Sequence, residues 1–265
     1  MPRFAANLSM LFTEVPMLDR FERAARAGFS SVEIQFPYEA TAEQVKERLT
    51  ANRLKMVLHN LPAGDWAAGD RGMANDPNRV DEFRAGVQRA IEYATVLQVR
   101  QLNCLCGLTP AGVDAKTVRS TAVDNLRHAA AELKRAGLKL LIEPVNTFDV
   151  PGFWLNRTDL ALSVLDEVGA DNAYVLFDIY HAQRSAGELA ATLEKHVKRI
   201  GHIQVADNPG RHEPGSGEIN YEFLFAHLDR IGYSGFVGCE YKPSGATEAG
   251  LGWLEQARRQ LSATS

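Results

Sequence analysis

Cysteine is scarce: Cys104, Cys106 and Cys239 are the only three in 265 residues. So small and odd a number builds no disulfide framework. Cys104-x-Cys106 is also too closely spaced for the usual zinc knuckle, and reads as small apolar strand residues. Long apolar runs are missing too. Stretches such as 138–142 and 175–177 are strand-sized, far short of the ~20 residues of a bilayer span, so no membrane partner is expected. Met1-Pro2-Arg3-Phe4 runs straight into patterned sequence without the apolar core of a signal peptide, which points to the cytoplasm. Positive charge is not in excess: 29 Lys and Arg stand against 33 Asp and Glu, a formal net charge of −4. A chain that holds nucleic acid by neutralising phosphates carries the opposite balance, so no nucleic-acid partner is expected. Finally, no strand leads into a Gly-rich dinucleotide fingerprint or a P-loop, and no low-complexity linker marks a domain boundary.

What the sequence does contain is an alternation of short β-rich runs with longer amphipathic ones. The pattern predicts strands at 4–8, 31–35, 55–59, 101–104, 139–143, 174–178, 200–205 and 236–240. Between them it predicts helices at 18–27, from 41, and at about 80–97, 113–136, 158–168, 187–196, 221–231 and 247–261. Gly28 is a helix stop, and Thr41-x-x-Gln44 reads as a capping box. Eight βα units in a chain of this length predict an α/β fold, a single (β/α)8 TIM barrel over residues 1–265. A doubly wound open sheet is the competitor, but it usually carries fewer strands.

In such a barrel the C-terminal strand ends converge on the active-site mouth. Strand five ends in Ile142-Glu143-Pro144, strand six in Phe177-Asp178, strand seven contains His202-Ile203-Gln204, and strand eight ends in Cys239-Glu240-Tyr241. Three carboxylates and an amide therefore arrive from four consecutive strands. A carboxylate after an apolar strand is costly to bury unless it is paired, hydrogen-bonded or bound to a cation. Acids that merely face solvent or cap the next helix are the plain alternative for any one of them, but not for the whole set. Oxygen donors without Cys or several His point to one divalent ion, Mg²⁺ or Mn²⁺. The expected metal set is Glu143, Asp178, Gln204 and Glu240.

Several stretches resemble the hydroxypyruvate isomerases of the xylose-isomerase-like barrel superfamily. They are Asn7-Leu8-Ser9-Met10-Leu11-Phe12, Ile142-Glu143-Pro144-Val145-Asn146, Asp178-Ile179-Tyr180-His181, the run from His202 to Tyr221, and Gly238-Cys239-Glu240-Tyr241-Lys242-Pro243. The resemblance spans the whole chain, and the His202–Tyr221 run is its most specific part. It implies a metal-assisted aldose–ketose isomerase for a three- or four-carbon hydroxy-oxo acid. Such an enzyme interconverts hydroxypyruvate and 2-hydroxy-3-oxopropanoate by moving a proton between adjacent carbons through an enediolate. A divalent ion on both oxygens would stabilise the developing negative charge. The resemblance assigns the proton transfers to Glu143 and Glu240 without deciding which is base and which is acid. Direct hydride shift would need no such pair.

Substrate contacts are expected from His59, His181, Arg211 and Lys242. His181 leaves strand six beside Asp178. Arg211, on the broken loop 208–217, and Lys242 are rival cations for a substrate carboxylate. His59 ends strand three. For His59 and His181 a supporting role behind the site is an equal reading, and His202 alternates with Gln204 one layer below the metal. Loops 61–78 and 146–156 carry Trp66, Phe148, Phe153 and Trp154, which either close over substrate or anchor the loops.

A 2-oxo-tetronate isomerase and a ketose 3-epimerase acting on a neutral sugar are the alternative enzymes. A DNA-repair endonuclease needs a richer His/Asp/Glu set and a basic face, and a non-catalytic binding barrel has no need of two opposed glutamates. Helices on the barrel exterior offer surface for a homo-oligomer, with no stripe distinct enough to name an interface.

Overall fold

The structure, a computed structural model, describes residues 3–263. Eight parallel strands form a barrel closed in chain order. They are β1 (Arg3–Asn7), β2 (Ser31–Ile34), β3 (Lys55–Asn60), β4 (Gln101–Cys104), β5 (Lys139–Ile142), β6 (Ala173–Asp178), β7 (Ile200–Val205) and β8 (Phe236–Cys239). The helices between them are α1 (Arg20–Arg26), α2 (Ala42–Ala51), α3 (Val80–Leu97), α4 (Ala115–Arg135), α5 (Thr158–Val168), α6 (Ile179–Ser185), α7 (Leu189–His196) and α8 (Tyr221–Arg230). A last helix, α9 (Gly252–Ala263), follows β8. The α/β barrel read from the sequence is therefore the observed fold. Residues 1, 2, 264 and 265, which that reading included, lie outside the described residues.

Local chemistry sets the element boundaries. Thr41 and Gln44 form the expected reciprocal capping box at the start of α2. Asp114 accepts from the N–H groups of Lys116 and Thr117 and so begins α4. Gly169, at φ 68°, ends α5 in the left-handed region that a side chain disfavours. Two details depart from the expected pattern. Glu143 and Glu240 lie one residue beyond β5 and β8, and the β6–β7 connection holds two helices rather than one. The first of these, α6, starts at once because Asp178 caps it, its Oδ1 accepting from Tyr180 N–H at 2.8 Å and His181 N–H at 3.3 Å.

The core has two compartments. Most buried side chains, among them Phe21, Leu102, Leu126 and Phe177, fill the layer between barrel and helices. A small plug of Ala5, Val57, Leu58, Leu141 and Leu176 fills the lower barrel interior. Period-two alternation then directs the inward residues above the plug, among them Asn7, Glu33, Asn103 and Gln204, towards the mouth. Parallel register sets Asn7 level with Glu33, Asp178 with Gln204, and Gln204 with Gly238. Cys104, Cys106 and Cys239 are buried. No described helix is long and apolar enough to cross a membrane.

Candidate active site

The four expected strand-end residues are buried at the C-terminal mouth of the barrel. Donor atoms of Glu143, Asp178 and His181 lie within 4.8 Å of one another. Glu143 Oε2 accepts from Asn103 Nδ2 at 2.7 Å. Glu240 Oε1 accepts from Gln35 Nε2 at 2.7 Å and Asn7 Nδ2 at 3.1 Å. Arg211 ties the group together: its Nη2 donates to Glu240 Oε2 at 2.7 Å and lies 3.4 Å from Asp178 Oδ2. The Arg211 backbone is left-handed, φ 59°. That conformation is uncommon for a residue with a side chain and clusters at functional sites; here it sits on the loop that carries the guanidinium to the acids.

The electrostatics follow from crowding in a dry place. Burial, with Glu240 and Asp178 nearby, pushes the Glu143 carboxyl well above the usual range. Burial also raises Asp178 against the pull of Arg211, and raises Glu240 to about 7. It works against the Arg211 charge as well, but Glu240, Asp178 and Glu143 outweigh it and hold the guanidinium more firmly protonated than usual. One cation for three carboxylates leaves negative charge uncompensated, which a divalent ion would balance.

A second observation suits the donor set to such an ion. Gln204 Oε1 is buried and has no hydrogen-bond partner among the described residues. Its amide nitrogen is engaged, donating to Glu33 Oε1 at 2.8 Å. An unpaired buried carbonyl costs ~1–3 kcal/mol, a penalty that oxygen coordination to a hard cation removes.

His181 faces the same group with a fixed tautomer. Asn146 Oδ1 accepts from the N–H groups of Phe148 and Asp149, so its Nδ2 is turned to His181 Nδ1 at 2.6 Å. Nδ1 must then be the acceptor, and the ring proton sits on Nε2, assigned from this network. That nitrogen is 3.7 Å from Asp178 Oδ2 and 3.8 Å from Glu143 Oε1. Burial, with Arg211 and Arg184 adding to it, keeps the ring neutral. His181 thus offers the site an N–H donor rather than a lone pair for a metal.

The xylose isomerase-like TIM barrel family matches residues 21–257. Hydroxypyruvate isomerase of Escherichia coli (strain K12) is 53% identical over 258 residues, 97% of this chain and 100% of that protein. The chain belongs to the hydroxypyruvate isomerase family of xylose isomerase-like TIM barrels. A 2-oxo-tetronate isomerase of Cupriavidus necator is 49% identical over 255 residues, 96% of this chain and 98% of that protein. A crystal structure described as an AP endonuclease, family 2, from Brucella melitensis aligns with TM-score 0.94 at 45% identity, covering 97% of this chain and 99% of that one. With relatives of this kind spanning nearly its whole length, the chain is an isomerase.

Within this isomerase the remaining expected substrate residues are placed unequally. Arg211 and His181 border the acid group. Lys242 is exposed, and its backbone N–H meets the loop, donating to the Arg211 carbonyl at 2.7 Å. His59 packs edge-on against Tyr38, with Nδ1 3.1 Å from the Asn60 carbonyl and 3.3 Å from the Tyr38 hydroxyl. Neither contact is with the acid group, and Nε2 has no hydrogen-bond partner among the described residues. The loop aromatics divide as well. Phe153 is 2% exposed and anchors its loop, whereas Phe148 is 70% exposed and has the Arg184 guanidinium 5.1 Å from its ring centre. Trp66 is partly exposed, with Phe36 on one side and Arg71 4.1 Å from its ring centre.

Reading the strand ends alone overlooks Asn7, Glu33, Asn103 and Asn146. The signal is present: Glu33 in Val32-Glu33-Ile34 and Asn103 in Leu102-Asn103-Cys104 are polar residues flanked by apolar ones inside buried strands. Such a residue must find a partner inside the barrel.

Proposed function

We propose that the enzyme interconverts hydroxypyruvate and 2-hydroxy-3-oxopropanoate by proton transfer through an enediolate. Glu143, Asp178, Gln204 and Glu240 are read as the residues that hold one divalent ion, Mg²⁺ or Mn²⁺. When bound, the ion supplies electrostatic stabilisation of negative charge developing on the substrate oxygens. The carboxylates of Glu143 and Glu240 take a proton from one carbon and return it to the neighbouring one. His181 Nε2–H donates to a substrate oxygen, its aim held by Asn146. Arg211 pairs with the substrate carboxylate in addition to Glu240, as a guanidinium with several N–H groups can. Lys242, exposed on the same rim, adds charge attraction for an anionic substrate, and His59 supports the mouth through Tyr38.

The observation that carries this reading is the part-buried cation Arg211 beside Glu240 and Asp178, since an acid substrate needs a cation where a neutral ketose does not. Relatives named for hydroxypyruvate and for 2-oxo-tetronate support an acid of three or four carbons. The cytoplasm is the proposed location, with neither nucleic acid nor membrane as partner.

The test is turnover of metal-stripped protein, with and without Mg²⁺ or Mn²⁺, on hydroxypyruvate, a 2-oxo-tetronate and fructose, followed by NMR in D₂O. Metal-dependent conversion of an acid with solvent deuterium at the receiving carbon is the expected result. Conversion without deuterium would favour hydride shift. Turnover of fructose alone would move the enzyme to the neutral-sugar epimerases.

A further inference from the structure

We propose that Glu33 is a positioning residue that turns the Gln204 amide so that its oxygen, not its nitrogen, faces the acid group. The inference rests on the metal-binding reading above. Glu33 is buried inside the barrel on β2 and touches none of Glu143, Asp178 or Glu240 by hydrogen bond. Its Oε1 accepts from Gln204 Nε2 at 2.8 Å and Asn7 Nδ2 at 3.0 Å, and its Oε2 is 2.7 Å from His202 Nε2. On the far side of the ring, Gln101 Nε2 lies 3.2 Å from His202 Nδ1. With Nδ1 accepting from Gln101, Nε2–H is left to donate to Glu33.

A carboxylate only accepts hydrogen bonds, whereas an amide can turn either end to a neutral neighbour. Glu33 therefore leaves Gln204 one orientation, nitrogen to Glu33 and Oε1 unpaired. That is the donor atom a divalent cation requires. The surrounding strands make room for this contact. Gly238 lies level with Gln204 on β8, and a Cβ there would stand 2.3 Å from Glu33 Oε1. No left-handed backbone calls for glycine at 238; the space taken by the Glu33 carboxylate does. Asn7 Nδ2 joins the same carboxylate to Glu240 Oε1, so Glu33 also steadies a second proposed ligand.

The experiment is calorimetric titration of metal-stripped full-length protein with Mn²⁺, supported by the Mn²⁺ electron paramagnetic resonance spectrum. Wild type, Glu33→Gln, Gly238→Ala, Gln204→Leu and Glu33→Gln/Gln204→Leu are compared, with thermal unfolding in EDTA run on each. Glu33→Gln is expected to weaken Mn²⁺ about 10–100-fold, the usual cost of losing a group that orients a ligand. Gly238→Ala should weaken it in the same direction by displacing the carboxylate, which keeps the test alive should Glu33→Gln fail to fold. In the Gln204→Leu background, Glu33→Gln should add less than about threefold, because its partner is already gone. Wild-type affinity in both Glu33→Gln and Gly238→Ala would overturn the proposal. So would a full additional loss in the double variant, or lowered unfolding temperatures in EDTA with affinity unchanged. Wild type that binds no Mn²⁺ would overturn the metal reading itself, and the proposal with it.

Discussion

Arg211 Nη2 stands 2.7 Å from Glu240 Oε2 and 3.4 Å from Asp178 Oδ2, so one arginine of the chain lies on two of the acids proposed to hold a metal. Its side chain is 17% exposed and the Asp178 side chain is fully buried. The pairing offsets the charge of both acids before any ion arrives. Removing one partner of a buried pair strands the other, at ~3–5 kcal/mol.

Arg211→Met is therefore expected to lower the urea-unfolding stability of metal-free protein by about 3 kcal/mol. The same variant should raise KM for an acid substrate more than it lowers kcat. Unchanged stability and unchanged KM would show that the guanidinium is a loop charge after all.

Glu143→Gln and Glu240→Gln should each reduce turnover about 10²–10⁴-fold, the range for losing a positioned acid or base. Mn²⁺ should still bind each variant, detectably but more weakly. Exchange of the substrate carbon-bound hydrogen with D₂O, read by NMR, separates the two roles. The variant that still exchanges one carbon position without completing the isomerisation retains its base.

The tautomer of His181 can be seen directly. Long-range ¹H–¹⁵N correlation spectra of the wild type should show an unprotonated Nδ1 and a protonated Nε2. Asn146→Leu removes the side-chain donor to Nδ1, leaving only the longer backbone N–H contact at 3.5 Å, and should loosen the ring towards mixed tautomers, with kcat down about tenfold, within the range expected for an outer partner of a working histidine. A spectrum already mixed in the wild type would remove the argument for His181 as a fixed donor.

His59 provides a pH dependence of known sign. Burial lowers its pKa from 6.5 to about 4. Between those values the unfolded chain binds a proton that the folded one does not, so stability contributed by neutral His59 is present above pH 6.5 and is lost as pH falls towards 4. The full loss is about 3 kcal/mol, because each tenfold drop in proton affinity on folding is worth ~1.4 kcal/mol. His59→Gln should flatten that acid limb by one proton in urea unfolding measured across the window. An unchanged slope would mean that the imidazole is already protonated in the folded protein.

The barrel and the acids at its mouth were legible in the chain itself, for a topological reason. Alternating β and helical periods specify βα units, eight of them close a barrel, and closure brings every strand's C-terminal end to one side whatever the side chains are. Glu143, Asp178, Gln204 and Glu240 are therefore found by counting along strands. Their partners are not. Asn7 and Glu240 are 233 residues apart, and Glu33 and Gln204 are 171 apart; both meetings depend on register and pleat across the closed barrel. The same holds for the direction of Arg211, set by a left-handed turn, and for the proton on His181, set by Asn146 from the loop after β5. Which elements form and which strand ends converge follows from the order of residues alone, because hydrophobic period and turn chemistry are local. Which atom of each polar residue faces the site is set in the closed barrel, because a hydrogen bond there depends on the residue across from it.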